Sequence, residues 1–311
     1  MTALLSDPLY KAHETGVGHP ESPARYDAVM HALAPLLPSL KPIKPRAATI
    51  DELALVHTLP YIKTAEREIR AGRTALSTGD TNISEKSYDV ALQAAGGVLN
   101  AIDAVVTGAA PNAFCCVRPP GHLARAEQGM GFCIFNNIAI AARYAQRHHG
   151  LAKVLIVDWD VHHGNGTQDT FYEDGSVFFF STHQWPWYPG TGPASETGNG
   201  AGKGTTMNRP FAAGSGKEVL DAYKEDLRRA ADSFKPDLLL ISAGFDSRLG
   251  DPLGDFTLSD DDFASLTTWM LEVAGVHANG RLVSVLEGGY NLNGLASAAA
   301  AHVKTLVKGT A

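Results

Sequence analysis

Cysteine is scarce in this chain. Three residues among 311, Cys115, Cys116 and Cys133, form an odd set without CxxC spacing, which excludes a disulfide framework and a cysteine-rich zinc site. Buried thiols are the expectation. Positive charge is also short, with 26 Lys and Arg against 33 Asp and Glu and a net charge of −7. That balance argues against a general phosphate-binding face and against a nucleic-acid partner, though it leaves room for a local basic patch. The opening MTALLSDPLYKAHETG lacks a basic n-region and a long apolar h-region. No uncharged apolar run elsewhere is expected to reach the length of a membrane span. No membrane partner is therefore expected, and the cytoplasm is the default location. The glycine-rich stretch GTGPASETGNGAGKGT at 190–205 lacks what a phosphate loop needs: Thr197 stands where glycine is required and Gly204 where Ser or Thr is required. It reads as a long surface loop.

What is present is alternation. Five segments read as buried strands: AFCCV at 113–117, KVLIVDWD at 153–160, SVFFFST at 176–182, DLLLISAGFD at 237–246 and RLVSVLEGG at 281–289. Their near-continuous apolar runs suit a parallel sheet covered on both faces. Helical patterns lie between them. SEKSYDVALQAAGGVLNAIDAVV has Ser84 as its expected N-cap, and SDDDFASLTTWMLEVAGVHANG has Ser259 at its start and Asn279-Gly280 as its stop; NNIAIAARYAQRHHG and GKEVLDAYKEDLRRAADSF follow the same logic. With no repeat and no linker, residues 1–311 read as one doubly wound α/β domain.

The strands end in polar residues, where an open parallel sheet places its ligands. Asp158, Asp160 and His162 are spaced i, i+2, i+4, so an extended chain points them to one side. With Asp246 arriving from another strand, they make an oxygen-rich set suited to zinc, iron(II), cobalt or manganese, with coordination positions left for water.

RPPGHLARAEQGMGFCIFNN, DWDVHHGNGTQ, STHQWPWYPGTG, SAGFDSRLGDPLG and EGGYN resemble successive signatures of the histone deacetylase and acetylpolyamine amidohydrolase superfamily, nearest its class II and bacterial histone-deacetylase-like members. The resemblance runs from HETGVGHPESPAR at 13–25 to EGGYN at 287–291. It implies the arginase/deacetylase fold, a parallel sheet between helices. It also implies one catalytic Zn2+ on Asp160, His162 and Asp246, activating a water and polarising an amide carbonyl. By the same resemblance Tyr290 donates to the developing oxyanion, Asp158 orients His122, and Asn165 faces position 123. A structural K+ would sit among Asp158, Asp160, His162, Ser181 and Thr182. Gly131, Phe132, Tyr188 and Leu253 would line an acyl-lysine tunnel, Asp80 would grip the substrate backbone at its rim, and Gly288 and Gly289 would leave room for substrate beside Tyr290. His163 is read as supporting, and His13, His57, His148, His149 and His302 receive no role.

One position departs from the family. Its tandem histidines, RPPGHHA, read RPPGHLA here, so Leu123 occupies the place of the residue assigned as general base. Such help is typically worth ~10² to 10⁴-fold in rate, so weak turnover is expected. Three accounts fit: an engineered variant of an active enzyme, an enzyme in which His122 makes both proton transfers, or a binder without hydrolysis. Intact ligands, Tyr290 and tunnel residues favour the first two. An arginase-like binuclear hydrolase is the enzyme alternative, but it needs a further carboxylate where Gly164 stands; a non-catalytic acyl-lysine reader is the other. Partners are expected to be an acylated lysine peptide or a small acylated amine. A homo-oligomer stays open.

Overall fold

An apolar run of four to eight residues can be a buried strand or a buried helix turn, and the sheet decides between them. The computed structural model describes residues 1–309. Eight strands, β1 (Ala3–Leu5), β2 (Lys41–Ile43), β3 (Asn112–Cys115), β4 (Val154–Asp158), β5 (Val177–Gln184), β6 (Thr206–Phe211), β7 (Leu238–Ala243) and β8 (Leu282–Leu286), form one sheet in the order β2-β1-β3-β8-β7-β4-β5-β6. Every neighbouring pair is parallel. The five expected strands are β3, β4, β5, β7 and β8, and all their residues are buried. Strands β1, β2 and β6 were not expected. The first two are three residues long, and β2 and β6 carry Pro42 and Pro210, tolerated because both strands sit at sheet edges.

Helices cover the sheet. Helix Asn137–His149 starts where the Asn136 side chain accepts from Ala139 N and stops at Gly150, whose φ is 67°. Helix Asp260–His277 begins with a reciprocal capping box between Ser259 and Asp262. The chain then turns through Asn279 and Gly280, both at positive φ, as the stop signal requires. Ser84 is not the cap of the next helix: Ser84 N donates to Ser87 Oγ, and the helix runs Ser87–Val106 from Lys86 without a side-chain cap. That helix bears on the reading of apolar runs, although Asp89 and Asp103 keep it from being an uncharged one. It is 20 residues long with a mean hydropathy of 1.3 over its most apolar window, enough by length and composition to cross a membrane. Most of that window is buried in this fold, against β1, β3 and helix Asn137–His149. The segment 217–234 is helical throughout but widens into a π turn at Tyr223–Leu227. From that turn Tyr223 Oη reaches Thr182 Oγ1 at 2.8 Å and donates to Asp158 O at 3.2 Å, tying the helix to the ends of β4 and β5.

Candidate metal centre and tunnel

Strand β4 stops at Asp158 and the chain bends, so the spacing argument for an extended segment fails: Asp158, Asp160 and His162 do not point one way. Asp158 turns to His122, its Oδ2 2.8 Å from His122 Nδ1. Asp160 and His162 instead meet Asp246, which follows β7, with one ligand atom from each lying within 4.8 Å of the others. Among the described residues this is the one buried group of its kind. The three cysteines are free, buried and apart from it.

The donors fit a divalent cation. Asp246 Oδ1 accepts from Val161 N, while Oδ2 is buried without a hydrogen-bond partner, 3.2 Å from His162 Nδ1. An orphaned carboxylate oxygen in a dry pocket costs several kcal/mol unless a cation meets it (about 1–3 for a neutral group and more for a charge). Burial opposes charge on His162, yet Asp160 and Asp246 raise its pKa to about 10. Burial and then the Asp160 charge push Asp246 up to about 7. Both shifts express the same demand for positive charge at this point. Glycine makes the cradle: a Cβ at Gly288 would lie 2.0 Å from Asp246 Oδ2 and 2.6 Å from Asp160 Oδ2, and Gly288 N donates to Asp160 Oδ2. At Gly164 a Cβ would lie 2.3 Å from Asp158 Oδ2, so no second carboxylate fits there.

Above the cradle is a cavity of about 190 Å³ lined by Asp80, Pro120, His122, Leu123, Gly131, Phe132, His162, Trp187, Tyr188, Leu253 and Tyr290. Five expected wall residues are among them. Gly288 and Gly289 are not; they lie behind the carboxylates, and Gly289 O accepts from Arg25 Nε. Asp80, expected to hold substrate, already accepts from Gly131 N at 2.7 Å and Tyr188 Oη at 3.2 Å, clasping two walls of the mouth. Burial pushes the Tyr290 phenol well above its ordinary pKa against the pull of Arg25, whose guanidinium lies 5.0 Å from the ring centre. Burial opposes charge on His122, but Asp158 and Asp160 raise its pKa well above normal. Asn165 Nδ2 meets Met130 Sδ, Met130 packs on Leu123, and Asn165 Oδ1 is buried without a partner. The side chains of Ser181 and Thr182 bond to His183 and Tyr223.

Several residues of the site escaped the sequence reading. Glu287 Oε2 accepts from Gly121 N and His122 N, fixing the backbone that carries His122. Asp251 Oδ2 accepts from Tyr290 N and Asn291 N, and its Oδ1 from Leu253 N, so one carboxylate sets two walls. Trp187 and Pro120 complete the lining. A carboxylate in a Gly- and Pro-rich turn is a weak signal for such anchoring.

Comparison with known proteins agrees with this geometry. A family model described as "Histone deacetylase domain" matches residues 19–306. Histone deacetylase 10, chloroplastic, from Oryza sativa subsp. japonica is 43% identical over 91% of this chain and 68% of its own length. A probable deacetylase from Archaeoglobus fulgidus is 38% identical over 94% and 82%, and the human polyamine deacetylase HDAC10 is 40% identical over 84% and 40%. The crystal structure of the HDA15 HD domain superposes with a TM-score of 0.93 at 37% identity, covering 99% of this chain and 90% of that one. The sheet and its helices are thus the arginase/deacetylase fold.

Proposed function

Because this chain belongs to the histone deacetylase family, we propose that it is a zinc-dependent deacylase acting on the amide of acetyl-lysine or a similar acylated amine. The observation that carries this reading is the meeting of Asp160, His162 and Asp246 beside a narrow cavity that also holds Tyr290 and His122. Asp160, His162 and Asp246 would hold the zinc, which would supply Lewis acidity and activate a water. The protein's own groups do the rest. Phe132, Tyr188 and Leu253 exclude water from an acyl-lysine stem. Tyr290 keeps its proton and donates a hydrogen bond to the carbonyl oxygen as negative charge grows there. His122 donates Nδ1–H to Asp158 and holds Nε2 3.7 Å from Asp160 Oδ2, and because both carboxylates favour its protonated form it is the residue placed to hand a proton to the leaving amine. Leu123 can move no proton, so turnover is reduced rather than abolished. The unpartnered Asn165 Oδ1 supports this account, since a histidine at 123 would bring a donor to that neighbourhood. A structural potassium ion among Asp158, Asp160, His162, Ser181 and Thr182 belongs to the same reading, as does a single catalytic domain over 1–311.

The test is metal analysis together with deacetylation of an acetyl-lysine peptide and an acetylated polyamine. About one zinc per chain is expected by the ligand count, lost in Asp246→Ala, with slow hydrolysis that Leu123→His raises at least roughly a hundredfold. Hydrolysis that persists unchanged in Asp246→Ala would overturn the reading. Peptide binding without product in a zinc-loaded Leu123→His variant would favour a non-catalytic acyl-lysine reader instead.

A further inference from the structure

An acyl group entering this cavity passes its mouth, so whatever holds the mouth together bears on how wide that group can be. Gly131-Phe132, Tyr290, Leu253 and Trp187-Tyr188 form walls there. Each is tied to the next, and the ties close into a collar. Asp80 Oδ1 accepts from Gly131 N at 2.7 Å and from Tyr188 Oη at 3.2 Å. Trp187 Nε1 donates to Leu253 O at 2.8 Å. Asp251 accepts from Leu253 N at 2.9 Å and from Tyr290 N at 2.6 Å. The rings of Tyr290 and Phe132 meet edge-on with centroids 5.8 Å apart, which completes the circuit.

The ties are unequal. Asp251 is half-buried and takes a third N–H, from Asn291, while the Tyr290 ring is backed by the Arg25 guanidinium. The tie between Tyr188 and Asp80 is the longest of the polar ones, and it joins two exposed residues. Water competes for both partners, so this tie breaks at least cost. What it restrains is strained: Phe132 has a φ of 68°, in the left-handed region that a bulky side chain enters only when its surroundings hold it there. Asp80 contributes to that hold through Gly131 N, one residue earlier.

Resting on the deacylase reading, we propose that Tyr188 is a specificity-determining residue: its hydroxyl latches the collar to Asp80, favouring slender acyl groups such as acetyl, and wider groups enter by breaking that one hydrogen bond. A phenylalanine would line the wall as well but could not latch it. The Tyr188 ring lies 6.2 Å from the His162 ring, centroid to centroid, so the side chain spans from the rim toward the metal ligands and its position is felt along the passage. One carboxylate oxygen holds both Gly131 and Tyr188, so opening there frees the two walls from each other. The ties through Trp187 and Asp251 stay closed. The mouth therefore widens on one side while Tyr290 keeps its place. One exposed hydrogen bond changes binding by about fivefold, and that is the size of preference the latch imposes.

The experiment measures dissociation constants by calorimetry for peptides that differ only in the acyl group on one lysine: acetyl, isobutyryl or benzoyl. They are titrated into the zinc-loaded chain, Tyr188→Phe, Asp80→Ala, Asp80→Asn and the double variant Tyr188→Phe with Asp80→Ala, each checked for zinc content. The affinity for the wide peptides relative to acetyl should rise about fivefold in Tyr188→Phe. Asp80→Ala should raise it at least as much, and the double variant no further than Asp80→Ala alone, because the two residues share one bond. Asp80→Asn keeps an acceptor oxygen and should stay near the ratio of the unaltered chain. An unchanged ratio in Tyr188→Phe would overturn the proposal and leave the deacylase reading standing. So would effects of Tyr188→Phe and Asp80→Ala that add, since the missing hydroxyl would then matter only as space. Failure of the unaltered, zinc-loaded chain to bind the acetyl peptide would overturn both. Should Asp80→Ala fold poorly, Asp80→Ser, too short to join both walls, replaces it in the cycle with the same outcomes.

Discussion

A methyl group at position 288 would sit 2.0 Å from Asp246 Oδ2, closer than real carbon atoms come. Gly288 is therefore required by the cradle, and it also donates its N–H to Asp160 Oδ2. Gly288→Ala must displace at least one carboxylate, and a displaced support typically costs ~10 to 100-fold in metal affinity or activity. Zinc titration with a chelating competitor should record that loss; an unchanged dissociation constant would mean the carboxylates do not act together. Tyr290 makes a separate contribution. Removing its hydroxyl in Tyr290→Phe leaves the ring between Phe132 and Arg25 but removes a donor to the oxyanion. The expected loss is ~10² to 10³ in kcat with zinc content unchanged. A change confined to KM would place the hydroxyl in ground-state binding.

At the scale of elements, two adjacent residues after β4 serve different masters. His162 faces the carboxylates, whereas His163 holds the loop that carries Trp187 and Tyr188. Asn208 Nδ2 donates to Gln168 Oε1 and Gln168 Nε2 to Glu196, so His163 Nε2–H donates to Gln168 Oε1 and its Nδ1 accepts from Thr191 Oγ1. His183 donates to Gly192 O beside it, and both imidazoles press on Gly192. His163→Phe keeps a ring in that space and removes two hydrogen bonds, worth about 1 kcal/mol each. KM for an acyl-lysine peptide should rise about tenfold with zinc retained; an unchanged KM would make the network irrelevant to the tunnel wall. The sequence exposed His163 only as a neighbour of a ligand, because Thr191, Gly192 and Glu196 lie in a loop without periodicity. The same reason hides Glu287 and Asp251, whose carboxylates act on backbone N–H groups and so leave no side-chain pattern. Long apolar strands and Ser259, by contrast, advertise themselves, since burial on both faces and capping constrain residue type directly. The three-residue strands β1 and β2 cannot, and neither can the bend after Asp158 that separates it from Asp160.

At the scale of the whole molecule, the C-terminal helix Leu292–Lys308 is tied to the sheet and to helix Asp260–His277 through one buried imidazole. The Thr267 hydroxyl donates to Phe263 O, so it accepts from His302 Nδ1–H, and His302 Nε2 accepts from Ser284 Oγ on β8. Burial alone lowers the pKa of His302 from 6.5 to about 3. The unfolded chain takes up this proton below 6.5, whereas the folded chain stays neutral until about 3. The contribution of His302 to stability is thus complete above 6.5 and is lost as pH falls from 6.5 toward 3. Within that window the slope is about 1.4 kcal/mol per pH unit. Glutamine at 302 offers a donor and an acceptor without titrating. His302→Gln should therefore be less stable near neutrality, yet lose less on acidification, so its denaturant midpoint converges on that of the unaltered chain between pH 6.5 and 4.5. Parallel curves across that range would show that His302 takes up its proton in the folded state as readily as in the unfolded one, and the three-way tie would then have to be tolerant of charge.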